Sequence, residues 1–386
     1  MRQVAVVGVG LSKFGEIWNR SFRELIAEAG VMALNDCNLH GNEIEALFIG
    51  TMASGLLVGQ EHIGALIADH MGLNPIPATR VEAACASGSL AFRQAYMAVA
   101  SGLHDVVVAG GVEKMTDVNV NDASLALGAA GDADWELFNG ATFPGLYALM
   151  ARRYMHEFGA TEEQFAAVAV KNHKNAVHNP YAQFQKEITL ETVMKSKMVA
   201  SPLKVFDCSP ITDGAAVAVL MPIDKAKKFV DCPVEVIGSG QASDTIALHS
   251  RKSLTEITAT RVAAKKAYEM AKLKPRDISL AEVHDCFTIA EILAIEDLGF
   301  FGRGRGAKAT ADGKTALNSE ISINTSGGLK GKGHPVGATG VAQVVEATLQ
   351  LQGKAGKRQV DEPKYALTHN VGGSGATALV HIFKKG

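Results

Sequence analysis

Val4-Ala-Val-Val-Gly-Val-Gly10 returns 230 residues later as Val234-Glu-Val-Ile-Gly-Ser-Gly240, each an apolar strand entering a glycine turn. The offset barely drifts along the chain. Ile44-Glu-Ala-Leu-Phe-Ile-Gly50 answers Ile278-Ser-Leu-Ala-Glu-Val-His284 at 234, each after a helical segment that ends in a polar turn. Cys85-Ala-Ser-Gly88 opens a helix expected over 89–101, and His334-Pro-Val-Gly337 opens one expected over 339–351, at an offset of 249. A fourth pair aligns Gly214 in Thr212-Asp-Gly-Ala-Ala-Val-Ala-Val-Leu220 with Gly375 in Gly373-Ser-Gly-Ala-Thr-Ala-Leu-Val-His381. A repeat of this kind predicts two similar, layered α/β halves related by a pseudo-two-fold axis.

The halves differ in one place. Cys85 and Gly214 are 129 residues apart, whereas His334 and Gly375 are 41 apart, so the first half carries an insertion of roughly 88 residues. The polar, aromatic and helical stretch 116–195 is where it falls. The expected division is therefore 1–115 with 196–222 as one half, 116–195 as a subdomain covering the substrate, and 223–386 as the other half.

Composition narrows the function classes. With 47% hydrophobic and 20% charged residues in 386, the chain can bury a sizeable core. Its 38 basic and 40 acidic residues are interspersed, which argues against nucleic acid as a partner. No apolar run reaches the length of a membrane span, and the strand-like start carries no signal-type cleavage region, so no membrane and a cytoplasmic location are expected. Five widely spaced cysteines without a CxxC pair indicate neither a disulfide framework nor a metal site.

Four side chains stand out as chemistry. Cys85 lies where an extended run meets a helix, and unpaired backbone N–H groups there favour a thiolate and can hold an oxyanion. His334 lies in the glycine-rich turn Gly331-Lys-Gly-His-Pro-Val-Gly-Ala-Thr-Gly340, suited to moving a thiol proton. The repeat places the two at equivalent helix starts facing each other across the pseudo-dyad. In Glu282-Val-His-Asp-Cys-Phe287, His284 and Cys286 are two apart at a strand end and point the same way. The stretch His369-Asn-Val-Gly-Gly-Ser-Gly375 offers backbone N–H groups for an anion. Gly8-Val-Gly-Leu-Ser-Lys13 has Lys13 where a dinucleotide fingerprint needs its third glycine, and Gly328-Leu-Lys-Gly-Lys332 lacks the remaining P-loop residues. His173 and His178, in a Lys-rich helical stretch, read as a solvated face.

Val81-Glu-Ala-Ala-Cys-Ala-Ser-Gly88 resembles the nucleophile loop of thiolases, and Gly333-His-Pro-Val-Gly-Ala-Thr-Gly340 resembles their histidine loop. His284-Asp-Cys-Phe287 and His369-Asn-Val-Gly372 stand where many thiolases have an Asn-Glu-Ala-Phe loop and a second catalytic cysteine. In both departures the chain is similar to sterol-carrier-protein-type thiolases and their archaeal and bacterial relatives, as is Lys171-Asn-His-Lys-Asn-Ala176 with Asn179-Pro-Tyr-Ala-Gln-Phe184. The resemblance implies two βαβαβαββ halves in a five-layer αβαβα thiolase fold. It implies Cys85 as nucleophile, His334 as its base, Cys286 as the acid/base of the carbon–carbon step, and His284 with His334 as enolate stabilisers. Gly372 and Gly373 would contribute to the oxyanion hole, Phe143, Pro144 and Gly145 would line the acyl end, and Ser243 would lie near the pantetheine. Arg303, Arg305 and Lys308 read as a solvated loop rather than a phosphate site. The implied reaction joins two acetyl-CoA into acetoacetyl-CoA and CoA, or runs in reverse, with CoA thioesters as substrates and no cofactor or metal. Implied partners are further copies of the chain, as homodimer or homotetramer, and a 3-hydroxy-3-methylglutaryl-CoA synthase joined through a small zinc-containing protein. Rival readings are thiolysis of longer or branched 3-ketoacyl-CoA, retro-aldol cleavage with a small partner protein, and a non-catalytic acyl-CoA-binding scaffold.

Overall fold

The computed structural model describes residues 1–386. Its strands are β1 (Val4–Leu11), β2 (Ala46–Gly50), β3 (Ala78–Val81), β4 (Val107–Glu113), β5 (Met198–Ala200), β6 (Leu203–Lys204), β7 (Gly214–Pro222), β8 (Val234–Ser243), β9 (Leu280–Glu282), β10 (Ser322–Ile323), β11 (Tyr365–Gly372) and β12 (Thr377–Lys385). Ten of them form one sheet in the order β10-β9-β11-β12-β8-β1-β7-β4-β2-β3, and β5 pairs with β6 outside it.

That order is a palindrome of the repeat. Read outward from the join, β1-β7-β4-β2-β3 matches β8-β12-β11-β9-β10 strand for strand. The senses match too: β2 is parallel to β3 and β4 as β9 is to β10 and β11, while β7 and β12 are antiparallel to both neighbours. At the join β1 and β8 run antiparallel, with Ala5 opposite Glu235, its own counterpart in the repeat.

Side-chain alternation along β1 creates the layers. Val4 and Val6 enter a central core with Phe92 and Val99 of the Ser87–Ser101 helix and Val341 and Val345 of the Thr339–Gln352 helix. Ala5 and Val7 enter an outer core with Leu25, Ile26 and Ala29 of the Phe22–Asp36 helix. Val380 and Ile382 of β12 enter the opposite outer core with Ala263 and Ala267 of the Thr258–Ala271 helix. Both faces of both half-sheets are thus covered.

One expectation is corrected here. Gly8, Gly10, Gly238 and Gly240 form no turns, because β1 and β8 run straight through them. A Cβ on Gly10 would stand 2.0 Å from the Ala29 carbonyl oxygen, and one on Gly240 2.0 Å from that of Ala263. These glycines let the outer helix of each half lie directly on its strand.

Between β4 and β7 the chain leaves the sheet for helices Val120–Gly128, Phe143–Phe158, Glu162–Ala176 and Leu190–Met194 and the β5-β6 hairpin. Asp213, fully buried where the chain returns, accepts from the backbone N–H groups of Ile17, Met115 and Thr116 at 3.0, 2.6 and 3.0 Å and from Lys114 Nζ at 2.7 Å. His173 is also corrected: it is buried, stacked on Phe184 and edge-on to Phe206, and burial lowers its pKa to about 4. Its helix turns that face toward Phe184 and Phe206, whereas His178 is exposed. No helix is long and apolar enough to cross a membrane.

Candidate active site

The two inner helices begin against each other. Gly88 and Gly337, equivalent in the repeat, meet so closely that a Cβ on Gly88 would lie 2.5 Å from the Gly337 carbonyl oxygen. A Cβ on Gly340 would lie 2.2 Å from the Ser89 nitrogen. This contact brings the Cys85 and His334 loops to one place. Ala84, just before Cys85, has φ +50, a left-handed conformation that costs an L-residue about 1–2 kcal/mol. Ser87 holds the turn, its Oγ accepting from Ala83 N–H at 2.9 Å and donating to the Ala84 carbonyl at 2.6 Å.

A cavity of about 330 Å³ opens there, lined by Cys85, Cys286, His334 and Gly373 among apolar side chains that include Met115, Leu127, Phe143, Pro144, Tyr147, Ile211, Phe287 and Val336. Cys85 Sγ and one ring nitrogen each of His284 and His334 lie within 4.8 Å of one another. The imidazoles meet edge to face with centroids 5.1 Å apart. Gly145 and Ser243 do not line the cavity: Gly145 N–H caps its own helix on Thr142 Oγ1, and Ser243 is exposed at the end of β8. Gly372 closes β11 against the Cys85 loop, where a Cβ would sit 2.3 Å from the Ala83 carbonyl oxygen. Arg303 is engaged with Glu157 and Glu256, and Lys308 with Asp312.

Hydrogen bonds fix what each imidazole can do. Thr339 Oγ1 donates to the Pro335 carbonyl at 3.0 Å, so at 2.7 Å it accepts from His334 Nδ1–H. That leaves His334 Nε2 as a lone pair, a base. Asn370 Nδ2 donates to His284 Nδ1 at 2.9 Å, so His284 carries its proton on Nε2, which has no protein partner. That nitrogen is a donor. Burial, reinforced by the Lys332 charge, lowers the His334 pKa to about 3, and burial with His334 and His369 lowers that of His284 far below the usual range. Burial pushes the Cys85 thiol up to about 12, opposed by a hydrogen bond from Gly373 N–H. Cys286 is also pushed well up by burial, and Cys85 adds to it. The site at rest therefore holds neutral thiols and neutral imidazoles, and charge develops only as a substrate reacts.

Carboxylates behind the cavity hold these loops. Glu113, buried at the end of β4, accepts from Thr51 Oγ1 at 3.0 Å, Met52 N–H at 2.8 Å, Ala53 N–H at 3.2 Å and Gly337 N–H at 3.0 Å. Asp285 points away from the cavity, accepting from Leu329 N–H and Asn172 Nδ2 at 2.7 Å each. His284 and Cys286, on either side of it in sequence, both reach the site. Sequence reasoning missed Tyr147, Thr339, Asn370 and Glu113. Thr339 and Asn370 lay inside or beside glycine-rich stretches already singled out, and Tyr147 lies one helical turn beyond Phe143, a spacing that puts both on one face.

The family model "Thiolase, N-terminal domain" matches residues 4–224 and "Thiolase C-terminal domain-like" matches 240–385. An acetyl-CoA acetyltransferase of Methanothermobacter thermautotrophicus is 57% identical over 385 residues, covering 100% of both chains. One of Methanocaldococcus jannaschii is 53% identical, covering 99% of each. Sterol carrier protein 2 of Bos taurus is 36% identical over 100% of this chain and 72% of its own length. Among solved structures, an Ltp2-ChsH2(DUF35) aldolase superposes with TM-score 0.84 at 28% identity, covering 99% of this chain and 98% of that one.

Proposed function

The chain belongs to the thiolase family, and from that premise we propose that it is an acetyl-CoA C-acetyltransferase working through an acyl-Cys85 intermediate. The observation that carries the reading is the pair of opposite tautomers beside Cys85: one imidazole built as a base, the other as a donor. Cys85 gives its proton to His334 Nε2 as its sulfur attacks the thioester carbonyl. The Gly373 N–H at Cys85 and the backbone around it suit the oxyanion, and CoA leaves with the proton. Cys286 passes its thiol proton to His334, which is neutral again once CoA has left, and as a thiolate takes a proton from the methyl carbon of a second acetyl-CoA. The enolate oxygen faces His284 Nε2–H while the carbon attacks the acetyl group, forming the new C–C bond and freeing Cys85, whose sulfur takes the proton held by His334. The reverse sequence is thiolysis.

The apolar cavity of about 330 Å³ supports a short acyl group with the end of a pantetheine. Exposed Val120, Leu125, Trp135 and Phe138 on the insertion support cover by another copy or by a partner such as a synthase joined through a zinc-containing protein. In that assembly the product would feed mevalonate synthesis in the cytoplasm. The aldolase reading has one supporting observation, the structural neighbour described as an aldolase. The test is turnover by the purified protein of acetoacetyl-CoA, of longer 3-ketoacyl-CoA and of 3-hydroxyacyl-CoA. CoA-dependent cleavage of acetoacetyl-CoA is expected. Activity confined to longer chains contradicts the acetyl assignment, and CoA-independent cleavage of the hydroxy compounds favours the aldolase.

A further inference from the structure

Tyr147 has no part in the mechanism above, yet it touches both halves of it. It lies on the Phe143–Phe158 helix, 1% exposed, with its ring stacked on Phe287 at a centroid distance of 4.6 Å. Its hydroxyl donates to the Gly373 carbonyl at 3.0 Å, and the N–H of that same residue meets Cys85. Tyr147 and Cys286 line the same cavity, which sets the hydroxyl beside the Cys286 thiol. With its proton committed to Gly373, the phenol oxygen offers Cys286 a lone pair, so the S–H donates to it.

Cys286 cannot work in one protonation state alone. In thiolysis its S–H bond breaks as the proton passes to the α-carbon of the departing enolate, forming a C–H bond and leaving a thiolate. That thiolate is then reprotonated by His334, which holds the proton of Cys85 and so becomes free to take that of the incoming CoA thiol. A buried thiolate without a donor is costly, by several kcal/mol in a low-dielectric site. Turning one O–H bond from the Gly373 carbonyl to the sulfur supplies the donor at the moment it is needed. Burial pushes the phenol itself far above its usual range, so Tyr147 keeps its proton and does not replace Cys286 as the base.

We propose that Tyr147 is the switching hydrogen-bond partner of Cys286, accepting from its thiol and donating to its thiolate, and that it serves the α-proton step without serving acetylation of Cys85.

The inference rests on the two-cysteine reading, and two exchange reactions separate them. Exchange of labelled CoA into acetyl-CoA reads Cys85 acetylation, and loss of deuterium from methyl-deuterated acetyl-CoA reads the α-proton step. Tyr147→Phe, which keeps the ring and its stacking, is expected to slow deuterium loss about 10- to 100-fold, at or below the lower end of the 10²–10⁴ range of a general acid or base itself because Tyr147 only assists one, and to leave CoA exchange within about threefold. The pH midpoint for alkylation of Cys286 by iodoacetamide, read peptide by peptide, should rise in Tyr147→Phe. With 3-fluorotyrosine at 147, nearly isosteric and a stronger acid, it should fall. Equal loss of both exchanges, or an unmoved midpoint in both proteins, overturns the proposal. Wild-type protein active in neither exchange overturns the thiolase reading and this one together.

Discussion

His334 and His284 are 5.1 Å apart, yet their surroundings hold their protons on opposite nitrogens: Thr339 takes Nδ1–H from one, and Asn370 gives a proton to Nδ1 of the other. The pKa directions then fix a pH dependence. A base lowered to about 3 stays unprotonated everywhere above that pH, and a thiol raised to about 12 stays a thiol below it, so neither changes state in the working range. The rate of CoA exchange into acetyl-CoA should be flat from pH 5 to 9, measured over times short enough to avoid denaturation. An acid limb near 6.5, the ordinary imidazole value, would show His334 to be solvated and not buried. Cys85 and His334 were legible because the repeat put both at equivalent helix starts, and His284 with Cys286 because alternate residues of an extended segment share a side. Tyr147 was not: its partner Gly373 lies 226 residues away, and no local pattern encodes that contact.

Among elements, the glycines of β1 and β8 carry the most specific requirement. The repeated Gly-x-Gly was legible as punctuation, but its meaning was not, since a turn and a helix lying on a strand both call for glycine. Gly240→Ala should destabilise the fold by about 1–3 kcal/mol, because its Cβ would press on the Ala263 carbonyl and not on a side chain that can rotate away. Gly15→Ala is the control: no atom lies within 4 Å of its Cβ, and its change should stay within about 0.5 kcal/mol. Urea unfolding of both variants decides it; equal midpoints would mean that the helix and strand are not in contact as described. His173 was misread for a related reason. Lysines in sequence around it suggested solvent, whereas the helical period sends His173 to the aromatic face and Lys174 to water.

At the scale of the molecule, the site exists only where the halves meet. Glu113 belongs to the first half by sequence, yet one of its four donors is Gly337 in the histidine loop of the second. Glu113→Ala should therefore lower stability by several kcal/mol, about 1–3 for each donor left buried and unpaired. It should also slow acetylation in whatever folded protein remains. Calorimetry with CoA exchange on the soluble fraction tests this, and a variant of normal melting temperature and exchange rate would show that the loops are held independently. The sheet order was legible in outline because each half repeats the same strand and helix pattern. Continuity of the ten strands through β1 and β8 was not, since an antiparallel edge pairing between two halves leaves no mark in either alone.

The central claim is that Cys85 carries the acyl group and Cys286 handles the α-proton. The most direct measurement is acid-quench mass spectrometry of the Cys286→Ala protein after mixing with acetyl-CoA, beside wild type and Cys85→Ala. The account predicts an acetyl group on the Cys85 peptide of Cys286→Ala at near full occupancy, with CoA exchange intact and acetoacetyl-CoA formation abolished, and no acetyl group in Cys85→Ala. Acetoacetyl-CoA formation persisting in Cys286→Ala, or an acetyl group on any residue other than Cys85, would contradict it.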